Sequence, residues 1–274
     1  MIKLLQLFFK PTPLYRPLKF IYQILVKIKQ KLPIKNINII EIDGSILFVK
    51  SYKSNEMYFF PYKKKFYMNR IQAEIMNNGF YKEYTLKYSH NNCHVQTGDT
   101  VIDCGGFIGG FSLAANKMGA SKIFHIEPTP LAHRCAKLNF LLHKVYNIEL
   151  LNLGLGKSER TLKLQLSKSV VDNSFLPPDD GSFLGSISVP VITIDKLALE
   201  KKLIDKKTFF KIEAEGFEIE IIKGMQSFLP YKIVIDITPE RYGLSPAKEI
   251  STLLISKGYK ILEINEKCLF AIKS

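Results

Sequence analysis

One segment of this chain, VIDCGGFIGG (Val101 to Gly110), restricts the possible folds more than any other. An apolar, strand-like run ends at Asp103, and four glycines follow within residues 105–110, directly before the helix-like FSLAANKMG. Glycines allow a tight turn and a close approach of the backbone to a ligand, and the start of a helix presents unpaired N–H groups. The segment therefore predicts a strand–turn–helix unit that holds the polar part of a ligand.

A second strand pattern, KIFHIEP, ends at Glu127, which is 24 residues after Asp103 (127 − 103). At this spacing, the second strand of a doubly wound sheet offers a carboxylate to a ribose diol. A dinucleotide fingerprint is incomplete, because Cys104 stands where its first glycine is needed if Gly106 and Gly109 are the other two. Asp103 also suits an ammonium group better than a pyrophosphate. These residues predict S-adenosylmethionine as cofactor, with an ordinary tight turn as the alternative.

From Gly98 onward, strand and helix patterns alternate, which predicts an α/β fold with a doubly wound, Rossmann-like and mostly parallel sheet. The last two strand patterns are separated by so short a gap that they should pair antiparallel. A polar stretch at 157–188 is predicted to be a long irregular insertion beside the ligand cleft. The predicted strands are 100–104, 122–126, 147–153, 208–214, 231–237, 259–265 and 267–274, and the predicted helices are 111–118, 131–143, 217–225 and 246–258.

Three regions are predicted along the chain: a basic amphipathic arm at 1–36, a hairpin and helical extension at 37–97, and a cofactor-binding domain at 98–274. The hairpin follows from two β-rich runs around Asp43-Gly44, and a helix is predicted at 73–78, ended by Gly79.

The formal net charge is +14, and residues 1–36 hold eight Lys and Arg residues without an acid. Apolar residues recur there at helical spacing from Leu18 to Leu32. This arm predicts either contact with an anionic membrane surface or packing on its own domain or on a second subunit. We expect no secretory signal and no membrane span. The four cysteines form no C-x-x-C pair, which favours a cytoplasmic protein without structural zinc.

Charged residues gather around the strand pattern TFFKIEA, where Lys211 and Glu213 share one strand face and Glu215 follows. Ligands of open α/β sheets bind at the carboxyl edge of the strands. We expect Glu213 to act as a general base of raised pKa, helped by Glu215, while Lys211 orients a carboxylate or biases its pKa. An alternative is a divalent metal held by Glu213, Asp236 and Glu240. Glu218 and Glu220 are expected to stabilise a helix N-terminus or to be solvated.

Four sequence blocks together resemble the FkbM-type S-adenosylmethionine-dependent methyltransferases: GDTVIDCGGFIGGFSL, HIEP, VPVITIDKL and FFKIEAEGFEIEIIKGM. The resemblance covers about Glu83 to Ile261 and implies a class I methyltransferase sheet. It implies O-methylation of a hydroxyl on a glycan, a lipid-linked sugar or a secondary metabolite. It also implies that Lys211, Glu213, Glu215 and Gly216 surround the methyl-transfer site. The residues predicted at the cofactor are Asp103, Gly105, Gly106, Gly109, Glu127 and Pro128.

The chain departs from the family pattern at two places. Gly106-Phe107 replaces the usual Ala-Asn, and Glu213 replaces the usual Asp.

Two rival functions remain open: a methyltransferase that binds RNA through basic segments such as PYKKKFYMNR, and a scaffold that keeps the cofactor fold without activity. The absence of an N-P-P-Y-type motif makes a nucleic-acid partner the less favoured reading.

Overall fold

The computed structural model describes residues 36–62, 75–177 and 183–274. The predicted basic arm lies outside this part of the chain except for Asn36, as does most of PYKKKFYMNR. Among the described residues, no helix has the length and apolar character required to cross a membrane.

The predicted N-terminal hairpin is present and has a third strand. Strands β1 (Ile37–Glu41) and β2 (Ile46–Ser51) pair antiparallel, and β2 pairs antiparallel with β3 (Met57–Pro61). Residues 75–78 are helical up to Gly79, as predicted for that part of 73–78, and α1 (Phe80–Lys87) follows at once. Strand β3 and helix α1 were not predicted, because neither MYFFP nor FYKEYTLK shows a clear apolar period.

A seven-stranded sheet forms the centre of the described structure. Its strands, in spatial order, are β12 (Tyr259–Ile264), β13 (Cys268–Lys273), β11 (Lys232–Asp236), β10 (Thr208–Ile212), β4 (Thr100–Cys104), β5 (Lys122–Ile126) and β6 (Ile148–Leu151). The strands from β11 to β6 run parallel, whereas β13 runs antiparallel to both of its neighbours. The predicted doubly wound, mostly parallel sheet with an antiparallel last strand is confirmed.

Helices flank this sheet, and the central strands are buried on both faces. Residues of β10 and β11 are buried throughout, which explains why these strands read as continuous apolar runs rather than alternating ones. The remaining helices are α2 (Gly110–Lys117), α3 (Pro130–Leu142), α4 (Ile194–Lys201), α5 (Glu218–Lys223) and α6 (Ala247–Ser256).

The expectation that 157–188 is irregular is wrong at 160–165 and 186–188, which form strands. β8 (Arg160–Gln165) pairs antiparallel with β9 (Ser186–Ile192), and β9 also pairs with the short β7 (Gly154–Leu155). Alternation carries the strand signal that the polar composition concealed, since Leu164 of β8 and Val189 and Val191 of β9 point inward and are buried. In the described part of the chain after β8, Asn173 donates a hydrogen bond to the Thr129 hydroxyl (3.3 Å) and Ser174 donates one to the Glu215 carbonyl (2.6 Å), so these residues lie at the carboxyl edge of the central sheet.

The order of the strands creates a crevice at that edge. The chain runs from β4 outward to β5 and β6, then returns to the other side of β4 to form β10 and β11. The connections therefore diverge between β4 and β10, which is the place where open α/β sheets bind ligands.

The N-terminal extension packs directly on this domain. The side-chain amide of Asn139 in α3 accepts a hydrogen bond from the Phe59 N–H (2.6 Å) and donates to the carbonyls of Phe59 (3.0 Å) and Ile108 (2.9 Å). Phe60 and Phe80 of the extension share one buried apolar cluster with Ile108 of the central domain. The extension thereby brings α1 beside α2 at the start of the crevice.

Candidate active site

Asp103 lies one residue before the end of β4 and is enclosed by the protein. Its side chain is fully buried and accepts a hydrogen bond from the Ser112 hydroxyl (2.7 Å), while the Lys211 ammonium lies 3.0 Å away. Burial alone would raise the pKa of Asp103, but Lys211 and His125 outweigh it and lower that pKa to about 2. The Asp103 carboxyl group is therefore ionised, and its contacts support the glycine turn.

The glycine turn is held by close contacts with neighbouring strands. A Cβ on Gly105, which has φ +71°, would lie 1.6 Å from the Glu213 carbonyl oxygen. A Cβ on Gly106 would lie 2.2 Å from Cε1 of the buried His125 ring, and one on Gly109 would lie 2.5 Å from the Phe140 ring. Packing of the turn against the protein thus requires the glycines at these positions, and of the three only Gly105 lines the cleft.

Glu127 follows β5 and reaches the cleft with only 6% of its surface exposed. One carboxylate oxygen accepts from the Phe107 N–H (2.9 Å) and the other from the Thr129 N–H (2.7 Å). Burial raises the pKa of Glu127 against the lowering effect of these hydrogen bonds. The carboxylate is therefore oriented by the backbone and keeps lone pairs free for a ligand hydroxyl.

Lys211 joins the glycine turn to the end of β10. Its buried ammonium donates to the carbonyls of Gly105 (2.8 Å) and Cys104 (3.2 Å), and it lies 3.1 Å from Glu213 Oε2. Burial would lower the pKa of Lys211, but Asp103 and Glu213 outweigh it and raise the pKa above its usual value. Lys211 is a fixed cation between two carboxylates.

Glu213 is surrounded by donors on both carboxylate oxygens. Lys87 Nζ lies 2.5 Å from Oε1, and the Tyr88 hydroxyl donates to Oε2 at 2.6 Å. Burial would raise the pKa of Glu213, but Lys87 and Lys211 reverse the effect and hold that pKa well below its usual range. The raised pKa that we expected for a general base at Glu213 is therefore not found.

Glu215 has the opposite character. It lies just after β10, lines the cleft and has φ +49°. Burial, reinforced by the nearby carboxylates of Glu240 and Glu213, raises the pKa of Glu215 well above its usual value. In the same way, burial raises the pKa of Glu240 to about 8. This side of the site therefore holds two carboxyl groups whose pKa values are raised above the usual range.

Glu218 and Glu220 have structural partners, as expected. The buried Glu218 carboxylate accepts from the Ala214 N–H (2.7 Å) and the Gly216 N–H (3.3 Å), which orders the turn before α5. Glu220 forms a two-point ion pair with Arg241, at 2.9 and 3.0 Å.

One cleft collects the carboxyl ends of β4, β5 and β10. Of the predicted site residues, the cleft is lined by Gly105, Glu127, Pro128, Glu213 and Glu215. Asp103, Gly106, Gly109 and Lys211 lie behind this surface and support it. The connection after β8 supplies a further wall, which includes Val170, Val171, Asn173, Ser174 and Phe175.

Three side chains at the site, from α1 and the residue after it, were not predicted from the sequence. Tyr84 lines the cleft, and Lys87 and Tyr88 contact Glu213. Lys87 also lies 2.8 Å from Asp236 Oδ2. The contact between Lys87 and Glu213 spans 126 residues of sequence, so no local pattern could have indicated it.

Two of the three carboxylates considered for a metal, Glu213 and Asp236, share the Lys87 ammonium as their cation. Within residues 36–62, 75–177 and 183–274, no group of three or more His, Cys, Asp and Glu residues is arranged to hold a metal ion. The four cysteines are free and buried.

Comparison with known proteins shows the family to which this chain belongs. The family model for the methyltransferase FkbM domain matches residues 103–261. "Methyltransferase 1" of Beauveria bassiana is 24% identical over 182 residues, which cover 59% of this chain and 72% of that protein. The ribosomal protein L11 methyltransferase of Bacillus cereus is 30% identical over 137 residues, which cover 49% of this chain and 43% of that protein.

Among solved structures, the methyltransferase FkbM from Methylobacillus flagellatus KT superposes with a TM-score of 0.47 at 18% identity. The match covers 73% of this chain and 52% of that chain. Because the family model spans more than half of the sequence, from the end of β4 to β12, the chain belongs to the FkbM family of S-adenosylmethionine-dependent methyltransferases.

Proposed function

We propose that this protein transfers a methyl group from S-adenosylmethionine to a hydroxyl oxygen of a glycan, a lipid-linked sugar or a secondary metabolite. The observation that carries the proposal is a single cleft in which Glu127 lies on one side and Glu213 and Glu215 on the other. This arrangement supports a cofactor site and a proton-accepting group within one cavity.

The residues at the β4 and β5 ends fit the cofactor. Glu127 presents an oriented carboxylate to the cleft, which suits a ribose diol, and Ile126, Pro128 and Leu155 add apolar surface for a flat base. The sulfonium of the bound cofactor supplies the methyl group together with its own leaving group. The protein has to align the acceptor oxygen and receive its proton.

Glu215 is the better candidate for the proton acceptor. A base is most effective when its pKa lies near the working pH, and burial raises the pKa of Glu215 toward that range. The lowered pKa of Glu213 makes its carboxylate a weak proton acceptor and a permanent negative charge. In this proposal Glu215 receives the hydroxyl proton, and Glu213 orients the reacting groups by its charge.

The lining of the cleft supports a particular class of methyl acceptor. Apolar side chains from β8, the connection after it and α5 face the same cavity as the carboxyl groups, namely Leu164, Val170, Val171, Phe175 and Ile221. An acceptor that combines an apolar part with hydroxyl groups fits such a lining. Contact of the basic arm with an anionic membrane would suit a lipid-linked acceptor at the cytoplasmic face.

Two measurements test the proposal in sequence. Calorimetry should detect binding of S-adenosylhomocysteine and no comparable binding of NAD. Transfer of an isotopically labelled methyl group is then followed across monosaccharides, polyprenyl-linked sugars and hydroxylated small metabolites, with mass spectrometry to locate the methyl group.

A methyl group found on nitrogen would refute O-methylation while leaving methyl transfer intact. Methylation of RNA would favour the rival function in which the basic segments bind nucleic acid. Failure to bind S-adenosylhomocysteine would favour the inactive scaffold.

A further inference from the structure

We propose that the end of α1 completes the active site: Lys87 and Tyr88 act as positioning residues that hold the Glu213 carboxylate as a fixed, directed anion facing the cofactor's sulfonium. Both residues precede the part of the chain that the family model matches, residues 103–261. The inference rests on the proposed function, because it concerns how the same cleft binds S-adenosylmethionine.

Lys87 connects the carboxyl ends of two neighbouring strands. Its ammonium lies 2.5 Å from Glu213 Oε1 and 2.8 Å from Asp236 Oδ2. Side-chain exposure is 26% for Lys87 and 24% for Glu213, so this pair is partly shielded from water. The single cation therefore sets the spacing between the Glu213 and Asp236 carboxylates at the crevice.

Tyr88 holds the other oxygen of Glu213. Its hydroxyl donates to Oε2 at 2.6 Å, and Lys211 lies 3.1 Å from the same oxygen. With Lys87 on Oε1, donors on both oxygens restrict rotation of the carboxylate. Its lone pairs can then face the cleft in only one direction.

Packed aromatic rings fix the position of the Tyr88 hydroxyl. Tyr88 is fully buried, stacks on Tyr84 with ring centroids 6.0 Å apart and meets Phe111 edge-on at 5.0 Å. Phe111 in turn contacts Phe209 of β10, the strand that ends beside Glu213. The hydroxyl is therefore held by the core and cannot follow a displaced carboxylate.

Other ionisable groups surround Glu213 and contribute to its field. They are Tyr84, Lys87 and Tyr88 from α1 and the residue after it, Asp103 from β4, Lys211 from β10, Asp236 from β11, and Glu215 and Glu240 from the loops after β10 and β11. All variants and ligands are therefore compared at the same pH. The ratio of the dissociation constants of S-adenosylhomocysteine and S-adenosylmethionine suits this purpose, because the two ligands differ by one methyl group and one positive charge.

The experiment measures this ratio at pH 7.5 for the full chain, Tyr88→Phe, Glu213→Gln and the double variant, together with their melting temperatures. Tyr88→Phe keeps the buried ring and changes no charge. We expect Glu213→Gln to lower the preference for S-adenosylmethionine by about tenfold. We expect Tyr88→Phe to lower it by about threefold, and to change nothing further when Gln is already present at position 213.

Tyr81→Phe, on the exposed side of α1, is the matched control and should leave the ratio unchanged. Lys87→Met gives a second comparison if Tyr88→Phe does not fold. Its effect on the ratio of the two dissociation constants should differ at least about threefold between the wild-type chain and the Glu213→Gln variant. Lys87→Arg should preserve the wild-type ratio.

A purely structural role would lower the melting temperature of Tyr88→Phe and Lys87→Met without changing the ligand ratio, and that result would overturn the inference. Equal effects in the presence and absence of the Glu213 carboxylate would overturn it as well. If the wild-type chain binds neither ligand, the proposed function itself fails, and the inference fails with it.

Discussion

Replacing Gly106 by alanine should destabilise the protein and loosen the glycine turn, although alanine is the usual residue at this place in the family motif. The new Cβ would lie 2.2 Å from Cε1, 2.3 Å from Nδ1 and 3.0 Å from Nε2 of the His125 ring. A contact under 3.0 Å cannot persist, so either the ring or the turn has to move.

The His125 ring has little freedom to move. It is fully buried, its Nδ1 lies 3.1 Å from the Ser112 hydroxyl, and it meets the Phe140 ring edge-on with centroids 5.1 Å apart. Overpacking of a well-packed core costs about 1–3 kcal/mol, and we expect the upper half of that range here. For a domain of this size, about 2–3 kcal/mol corresponds to a melting temperature lower by roughly 4–12 °C.

Thermal and urea unfolding of wild type, Gly106→Ala, His125→Ala and the double variant would measure this effect. Removing the His125 ring makes room for the new methyl group, so the two substitutions should couple favourably by roughly 1–3 kcal/mol. An unchanged melting temperature for Gly106→Ala, or simple additivity of the two substitutions, would show that His125 is not the reason for glycine at position 106.

Four further predictions concern the cleft and the arm. Glu127→Ala should weaken S-adenosylhomocysteine binding by one or two charge-assisted hydrogen bonds, about 1.5–3 kcal/mol each, and calorimetry showing unchanged affinity would contradict this role. Glu213→Gln removes the charge that orients the reacting groups, so it should lower turnover by about 10²-fold or more while S-adenosylhomocysteine affinity stays within a few-fold, and normal turnover with chemistry rate-limiting would make Glu213 structural. Wild-type activity should rise with pH as Glu215, whose pKa is raised, loses its proton, and a Glu215→Gln variant that keeps this rise would exclude Glu215 as the base. A chain that begins at Asn36 should remain folded but no longer pellet with anionic liposomes, whereas aggregation would indicate that the arm packs on the protein.

Local sequence patterns were sufficient for the central α/β architecture. The bounds of β4 and β5 were predicted to the residue, because each is an apolar run that ends at a carboxylate or a turn. The same pattern placed Glu127 and Glu213 at one edge of the sheet, since the carboxyl ends of parallel strands meet there. The irregular stretch predicted at 157–188 contains β8, which was not recognised because frequent polar residues conceal its alternation.

Tertiary structure decided what the site residues can do. Lys87 and Tyr88, which precede Glu213 by 126 and 125 positions, act together with the neighbouring Lys211 to lower the pKa of Glu213. The ionisation of Glu213 could therefore not be inferred from its sequence neighbourhood alone. The need for glycine at position 106 likewise comes from a ring on the adjacent strand. Hydrophobic periodicity is a property of short sequence windows and can be recognised locally. The pKa values and the steric limits depend instead on charges and atoms that only folding brings within a few ångströms of each other.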